Sequence, residues 1–118
     1  MALVGVGTLE AEATVVRGQL RREDRTRLLA AGAVGSLNTR FFDALGQPAG
    51  DLDERTIAMS WEDLRAIPTV IAVAAGPKKA AAIVGALRSG AVDVLVTDEV
   101  TASLMLDRAL DRGLARRR

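Results

Sequence analysis

The last third of the chain alternates strand-like and helix-like segments, and this alternation restricts the fold more than any other feature. Residues 69–74 and 91–97 are continuous apolar runs, as expected for strands covered on both faces. Residues 80–87 carry apolar side chains at positions i, i+3, i+4 and i+7, and residues 102–110 repeat that helical spacing. Strands and helices in this order predict an α/β fold built on a parallel sheet.

The start of the chain predicts one further buried strand and one further helix. Residues 2–6 are apolar and β-prone and are followed by Gly7. Because an intact domain rarely begins with a core strand at its second residue, we expect the chain to be a fragment. Residues 20–31 are rich in helix formers, with acidic residues in the first turn and Gly32 as the C-cap.

The middle of the chain predicts a hairpin-like excursion followed by a short helix. Residues 38–42 and 55–60 are interpreted as short strands, and residues 43–48 have the composition of a turn. Ser60 followed by Asp63 resembles a capping box, with Asp in place of Glu or Gln. We therefore expect a short helix directly before the apolar run of the last third.

Composition narrows the possible chemistry. The 118 residues suit a single domain, and the 49% apolar and 26% charged residues suit a globular one. The chain has no cysteine and no histidine, which excludes disulfides, thiolate nucleophiles, histidine bases and zinc sites with such ligands. Magnesium or calcium sites made of carboxylates alone remain possible, although no calcium-loop pattern is present. We expect neither a cofactor nor a metal ion.

Net charge and hydropathy indicate which partners and which cellular location to expect for this chain. The net charge of +1 gives no reason to expect nucleic acid or a membrane surface as a partner of this chain. No apolar run approaches 18 residues, and the first residues lack the pattern of a signal peptide. Together with the missing cysteines, this predicts a cytoplasmic protein.

Ligands of open parallel sheets bind outside the carboxyl ends of the strands. Three loops of this chain follow predicted strands in that way. The first contains Gly5 and Gly7, the second contains Gly76 and Lys79, and the third contains Asp98. We expect these loops to form one edge of the sheet.

Each of these loops also has a purely structural interpretation. Lys78 and Lys79 oppose the dipole of the predicted helix unless an anion is bound there, yet they could be ordinary solvated lysines. Asp98 could accept hydrogen bonds from sugar hydroxyls or cap the last helix, and the two roles are compatible. Gly5 and Gly7 could serve only close packing at a strand end.

Three segments, taken in order, resemble a known family. They are VGVGTLE at residues 4–10, GAVGSLNTRFFDALGQPA at residues 32–49 and IAVAAGPKKAAAIVGALRSGAVDVLVTDE at residues 71–99. Their order and spacing are similar to those of the C-terminal half of the sugar-binding domain in SorC/DeoR-type bacterial transcriptional regulators. The last segment is the most specific of the three.

The resemblance implies a partial Rossmann-like, three-layer α/β domain with a mainly parallel sheet, related to sugar-phosphate isomerases and deaminases. Residues 1–118 would be one C-terminal portion of the sensor domain, without the helix-turn-helix and the first part of the sensor. Such sensors bind a phosphorylated sugar or a similar metabolite without catalysis. Binding alters the oligomeric state and the affinity for the operator, so DNA would be contacted only through the absent helix-turn-helix.

The resemblance also implies roles for single residues. Lys79 matches the family lysine near the effector phosphate, Arg17 lies where a family arginine can contact the other end of the ligand, and Asp98 matches an acidic residue lining the pocket. Ser36 stands where relatives often carry Asp or Glu, which leaves the sugar open, and Ala75 replaces a frequent glycine. The expected effector-binding residues are Gly5, Gly7, Arg17, Ser36, Gly76, Lys79 and Asp98.

Two other functions remain open on the sequence. A half-domain leaves apolar strand edges and faces uncovered, so the chain could be an oligomerisation module from a truncated regulator, and we expect self-association in any case. An enzyme of the related isomerase/deaminase fold would need a positioned base, for which Asp98 and Glu99 are the only candidates.

Overall fold

A five-stranded mixed sheet forms the centre of the computed structural model, which describes residues 1–9, 21–50 and 58–117, with side chains to residue 109. The strands are β1 (Ala2–Gly7), β2 (Ala33–Leu37), β3 (Arg40–Asp43), β4 (Val70–Val73) and β5 (Val94–Val96), in the spatial order β3-β2-β1-β4-β5. The helices are α1 (Arg22–Ala30), α2 (Trp61–Ala66), α3 (Ala80–Arg88) and α4 (Glu99–Arg117). A 3₁₀ turn, Pro77–Lys79, leads directly into α3.

The half of the sheet formed by β1, β4 and β5 is parallel, as the apolar runs predict. Its two later strands are shorter than their apolar runs, because β4 and β5 pair over four and three residues. The strand–helix–strand–helix order of the last third is confirmed. The α/β class and the Rossmann-like arrangement of this part are therefore correct.

The other half of the sheet is an antiparallel hairpin, which differs from the predicted one. Asn38 and Thr39 have φ values of 51° and 66°, so they form the turn between β2 and β3 instead of beginning a strand. The strand predicted over residues 38–42 is thus wrong in its first two positions. Residues 58–60 are not a strand either, and residues 55–57 lie outside the described part of the chain.

The main hydrophobic core lies between the sheet and the helices α2, α3 and α4. Two glycines let α3 approach the hairpin closely. A Cβ at Gly35 would lie 2.7 Å from the Cβ of Ala82, and one at Gly85 would lie 2.8 Å from the Asp43 carbonyl oxygen. The most buried members of this core are Leu37, Phe42, Val70, Ala72 and Ile83.

The structure has the predicted start of one helix and the predicted glycine stop of another. The Ser60 hydroxyl accepts a hydrogen bond from the Asp63 backbone N–H at 3.0 Å, so the cap of α2 is confirmed. Helix α1 lies within the predicted range, and Gly32 follows it with a φ of 85°. Leu28 of α1 is buried in a second, smaller cluster with Phe41. No helix among the described residues is long and apolar enough to cross a membrane.

Candidate ligand site

The carboxyl ends of the three parallel strands meet at one edge of the sheet. The Ala74 backbone N–H donates to the Val96 carbonyl oxygen at 3.1 Å. Two residues further along, the Gly76 N–H donates to the Thr101 hydroxyl oxygen at 2.9 Å. The loop that leads to Lys79 is therefore hydrogen-bonded to the helix turn that Asp98 begins.

Asp98 caps α4. Its Oδ1 atom accepts a hydrogen bond from the Thr101 backbone N–H at 2.8 Å, and its carbonyl oxygen accepts the N–H of Ala102 at 2.9 Å. The Thr101 side chain and backbone N–H hold the pKa of Asp98 below its ordinary value of 3.8. The carboxylate is exposed at the edge of the sheet and stays ionised near neutral pH.

The helix start that contains Lys79 is organised by Gly76. Gly76 has a φ of 129°, which side-chain-bearing residues rarely adopt, and its carbonyl oxygen accepts the Lys79 N–H at 2.9 Å. Because Pro77–Lys79 is a 3₁₀ turn, the α-helix begins only at Ala80. The two lysines of this turn differ in burial, since the Lys78 side chain is exposed and the Lys79 side chain is half-buried.

Ser36 and Gly7 are register partners at the carboxyl end of β1. A Cβ at Gly7 would lie 2.7 Å from the Ser36 hydroxyl oxygen, so this glycine has the packing role that the sequence left open. Ser36 is only 6% exposed. Gly5 has more room, since a Cβ there would meet only the Val73 carbonyl oxygen, at 4.0 Å.

Arg17 falls outside the described residues, so its predicted contact with a ligand stays a prediction. Arg40 is buried and donates from Nε to the Met59 carbonyl oxygen at 3.0 Å and from an Nη atom to that of Ala58 at 2.8 Å. Arg40 therefore anchors the chain that leads into α2.

Sequence reasoning missed a cleft beside the start of α3. Its volume is about 220 Å³, and Arg25 and Lys78 bring two positive charges to its lining. The Arg25 Nε donates to the Leu9 carbonyl oxygen at 2.7 Å, which fixes the guanidinium at the cleft. The only sequence signal is that Arg25 precedes buried Leu28 by three residues and so shares its helix face. The cleft is lined by Thr8, Leu9, Arg25, Leu29, Ala33, Val34, Lys78, Ala81 and Ala82.

A second, apolar groove of about 410 Å³ lies between α3, β5 and α4. The Thr97 hydroxyl is buried at its lining without a hydrogen-bond partner among the described residues. The other lining residues are Val84, Leu87, Arg88, Leu95, Ala102, Met105, Leu106 and Ala109. Such a surface suits apolar groups better than a charged sugar phosphate.

The described residues offer no metal centre, since no three acidic side chains among them lie close enough to share an ion. The edge instead offers the exposed carboxylate of Asp98 and, at the start of α3, the half-buried ammonium-bearing side chain of Lys79. These groups can bind a small polyhydroxylated anion. An α/β sheet with such an edge is the architecture of a small-molecule-binding domain.

Comparison with known proteins gives the family. The model of the family described as "Putative sugar-binding domain" matches residues 1–107, and the chain belongs to this family. Similar proteins are the deoxyribonucleoside regulator of Bacillus subtilis (strain 168), with 37% identity over 91% of this chain, and the erythritol catabolism regulatory protein EryD of Brucella abortus (strain 2308), with 35% identity over 90%. The chain spans only 34% of the length of each.

Solved structures agree with this assignment. A transcriptional regulator from Streptococcus pneumoniae TIGR4 has a TM-score of 0.84 and 36% identity, over 91% of this chain and 42% of its own. The full-length sorbitol operon regulator SorC from Klebsiella pneumoniae has a TM-score of 0.77 and 29% identity, over 88% of this chain and 34% of its own. The chain is thus related to the sugar-binding domains of SorC/DeoR-type transcriptional regulators.

Proposed function

We propose that this chain is the C-terminal portion of an effector sensor in a SorC/DeoR-type regulator and binds a phosphorylated sugar or a related metabolite without catalysis. The observation that carries the proposal is the hydrogen bond between Gly76 and Thr101, which brings the Lys79 and Asp98 loops together in a member of a sugar-binding family. The effector would control operator binding by a regulator that also contains a helix-turn-helix, in a cytoplasmic setting.

The geometry supports different ligand contacts for different residues of the site. Lys79 suits a phosphate, because it lies at a helix start, which favours negative charge. Asp98 keeps an exposed carboxylate that can accept hydrogen bonds from sugar hydroxyls. Gly5 would allow the ligand to approach β1 closely, with Gly7, Ser36 and Arg17 as further contacts.

The Arg25–Lys78 cleft offers a second place for the anionic end of the effector. A guanidinium fixed by the Leu9 carbonyl group can bind a phosphate through its remaining N–H groups, and Lys78 adds charge. Variants of Lys78 and Lys79 separate the two positions, as described in the Discussion.

Calorimetric titration with sugar phosphates tests the proposal. Ribose 5-phosphate, glucose 6-phosphate and erythritol 4-phosphate would each be compared with the unphosphorylated compound, on this chain and on the full regulator. We expect one phosphorylated compound to bind and to stabilise the protein by about 2.7 kcal/mol at a hundredfold excess over Kd. If no phosphorylated compound in a wide panel binds the full regulator, the proposal is wrong.

An isomerase or deaminase activity has less support. A general base works best with a pKa near the working pH, whereas the pKa of Asp98 is held below its ordinary value by Thr101. Asp98 is therefore a weak base and a good helix cap. Turnover of a sugar phosphate that is abolished by Asp98→Asn would support the enzyme instead.

A further inference from the structure

The apolar groove between α3, β5 and α4 has the size of a small-molecule pocket. Its volume is about 410 Å³, and ligand pockets of proteins span about 300–1,000 Å³. Val84 of α3, Leu95 of β5 and Met105 of α4 form part of its walls. All three also pack in the main core, so these walls are held in place. We call this space the α4 groove.

One polar group of the α4 groove has no partner. The Thr97 side chain lines the groove, and its hydroxyl is buried without a hydrogen bond to any described residue. A buried hydroxyl without a partner is unfavourable, and most buried polar groups of native proteins are satisfied. A ligand that brings a hydrogen-bonding atom to Thr97 would remove this cost.

The other walls restrict the rest of such a ligand to hydrocarbon. Apart from Thr97, Arg88 is the only polar residue in the described lining, and its guanidinium donates to the Ala44 carbonyl oxygen at 3.1 Å. Met105 contributes a flexible thioether that adapts to different shapes. We propose that the α4 groove binds a small neutral compound with a hydrocarbon body and one hydroxyl or carbonyl group, which forms a hydrogen bond with the Thr97 hydroxyl.

This site is separate from the edge that we propose for the effector. Asp98 follows Thr97 directly, yet its carboxylate is exposed and accepts the Thr101 N–H, whereas the Thr97 hydroxyl is buried in the groove. A sugar phosphate would lose the hydration of its charge and hydroxyls between aliphatic walls. The inference therefore goes beyond the proposed function and concerns a second ligand of different chemistry.

Methionine methyl NMR tests the proposal with controls inside the same chain. The chain has three methionines, Met1, Met59 and Met105, and only Met105 lines the α4 groove. The natural chain is labelled at the methionine methyl groups and titrated with 2-naphthol, which is neutral and has one hydroxyl. Naphthalene is the comparison compound without that hydroxyl. We expect 2-naphthol to shift the Met105 signal in a saturable way and to leave the signals of Met1 and Met59 unchanged.

Thr97→Val tests the hydrogen bond, because it removes the hydroxyl at nearly the same side-chain shape. The hydroxyl of 2-naphthol would then be buried without a partner, so its affinity should fall about fivefold or more. The affinity for naphthalene should stay equal or rise. Thr97→Ser retains the hydroxyl and should keep the affinity for 2-naphthol within about twofold.

Ala102→Phe tests the location, because Ala102 lines the groove and a phenyl ring there would fill it. This variant should bind neither compound. Ser103→Phe is the matched control, since Ser103 is the next residue of α4, is exposed and lies outside the lining. It should bind both compounds as the natural chain does, and equal binding by both phenylalanine variants would contradict the proposal.

Three further outcomes would overturn the proposal. They are an unshifted Met105 signal at the solubility limit of 2-naphthol, an unchanged affinity in Thr97→Val, and a Met105 signal that changes with protein concentration when no compound is added. The last outcome would show that a second copy of the chain occupies the groove. Because 2-naphthol carries no phosphate, failure here leaves the proposed function standing, and failure of the sugar-phosphate titration leaves this site standing.

Discussion

Gly46 allows the turn after β3 to touch the last turn of α3. Its φ is 84°, and a Cβ there would overlap the Ser89 nitrogen and the Arg88 carbonyl carbon. The Arg88 guanidinium donates to the Ala44 carbonyl oxygen at 3.1 Å, and Asp43 Oδ1 accepts two backbone N–H groups of the turn. Backbone conformation and close packing thus require glycine at the same position.

Gly46→Ala is expected to lower the free energy of unfolding by about 2–4 kcal/mol, from the left-handed conformation together with the overlap. Gly90→Ala is the matched control. Gly90 has a φ of 79°, but a Cβ there would meet no atom within 4 Å, so only about 1–2 kcal/mol should be lost. Urea denaturation measures both, and equal losses would show that the overlap has no cost.

Asp98 should make stability depend on pH in the acid range. Its pKa is lower in the folded protein than the ordinary 3.8, so its stabilising effect is complete above that value and is lost as the pH falls through the folded pKa. Asp98→Asn keeps a capping side chain but cannot titrate. Melting temperatures are measured from pH 7 down to about pH 2.5, which is below the ordinary pKa of such a carboxyl. The melting temperature of Asp98→Asn should fall less in acid than that of the natural chain. An equal fall would contradict the lowered pKa of Asp98.

For single residues, the sequence indicated some structural roles and not others. The capping role of Asp98 followed from its position before a helix, and the packing role of Gly7 was among the open alternatives. Arg25 could not be recognised as a cleft residue, because its guanidinium meets Leu9 only through tertiary packing. The contact of Gly46 with α3 likewise joins residues that are distant along the chain.

Among the elements, helix α2 depends on its cap. The helix has only six residues, so a single hydrogen bond from Asp63 to the Ser60 hydroxyl is a large part of its local stability. Trp61 packs edge-on against Phe42 with the ring centroids 6.2 Å apart, and Arg65 lies 5.5 Å from the centroid of the Trp61 ring. The cap thereby also positions a contact with the core.

Ser60→Ala is expected to lower the free energy of unfolding by about 1 kcal/mol, because the Asp63 N–H loses its acceptor. Ser60→Asp is the conservative control and should keep most of the stability, since aspartate is an equally good cap. Thermal unfolding followed by tryptophan fluorescence reports on this helix directly. A variant with alanine that is as stable as the natural chain would show that the cap is unimportant.

The elements were predictable wherever a pattern extended over a whole segment. Continuous apolar runs identified β4 and β5, and helical spacing identified α3 and α4. Strand β2 was not predicted, because Gly35 interrupts it and its neighbours are small. No alternation of apolar and polar residues is therefore visible. The turn at Asn38 and Thr39 was not predicted, because threonine rarely adopts a positive φ. The pairing of β2 with β3 imposes this conformation.

Across the whole molecule, the candidate site depends on separate loops that meet at one edge. Lys79→Ala should weaken binding of a phosphorylated effector about tenfold or more if the phosphate lies at the helix start, while Lys78→Ala has little effect. The opposite order, together with a loss in Arg25→Ala, would place the phosphate in the cleft. Titration of the full regulator measures the effector affinity of all three variants. An unchanged affinity in every variant would exclude both positions for the phosphate.

The sequence could predict that the loops share an edge, because parallel strands end on the same side. It could not predict which lysine lines the cleft, since that depends on the 3₁₀ turn before Ala80. Nor could it show which face of the sheet the described residues leave exposed. Only the register of the strands reveals that Val73 and Val96 are exposed together.

The bond from Gly76 to Thr101 has a mechanical consequence. It joins the loop before α3 to the first turn of α4, so a displacement of either segment pulls on the other. Helix α4 has 19 residues and, at the usual rise per residue, extends about 28 Å from that point. A movement of the loop before α3 would therefore be passed to the first turn of α4 and carried along the length of this helix.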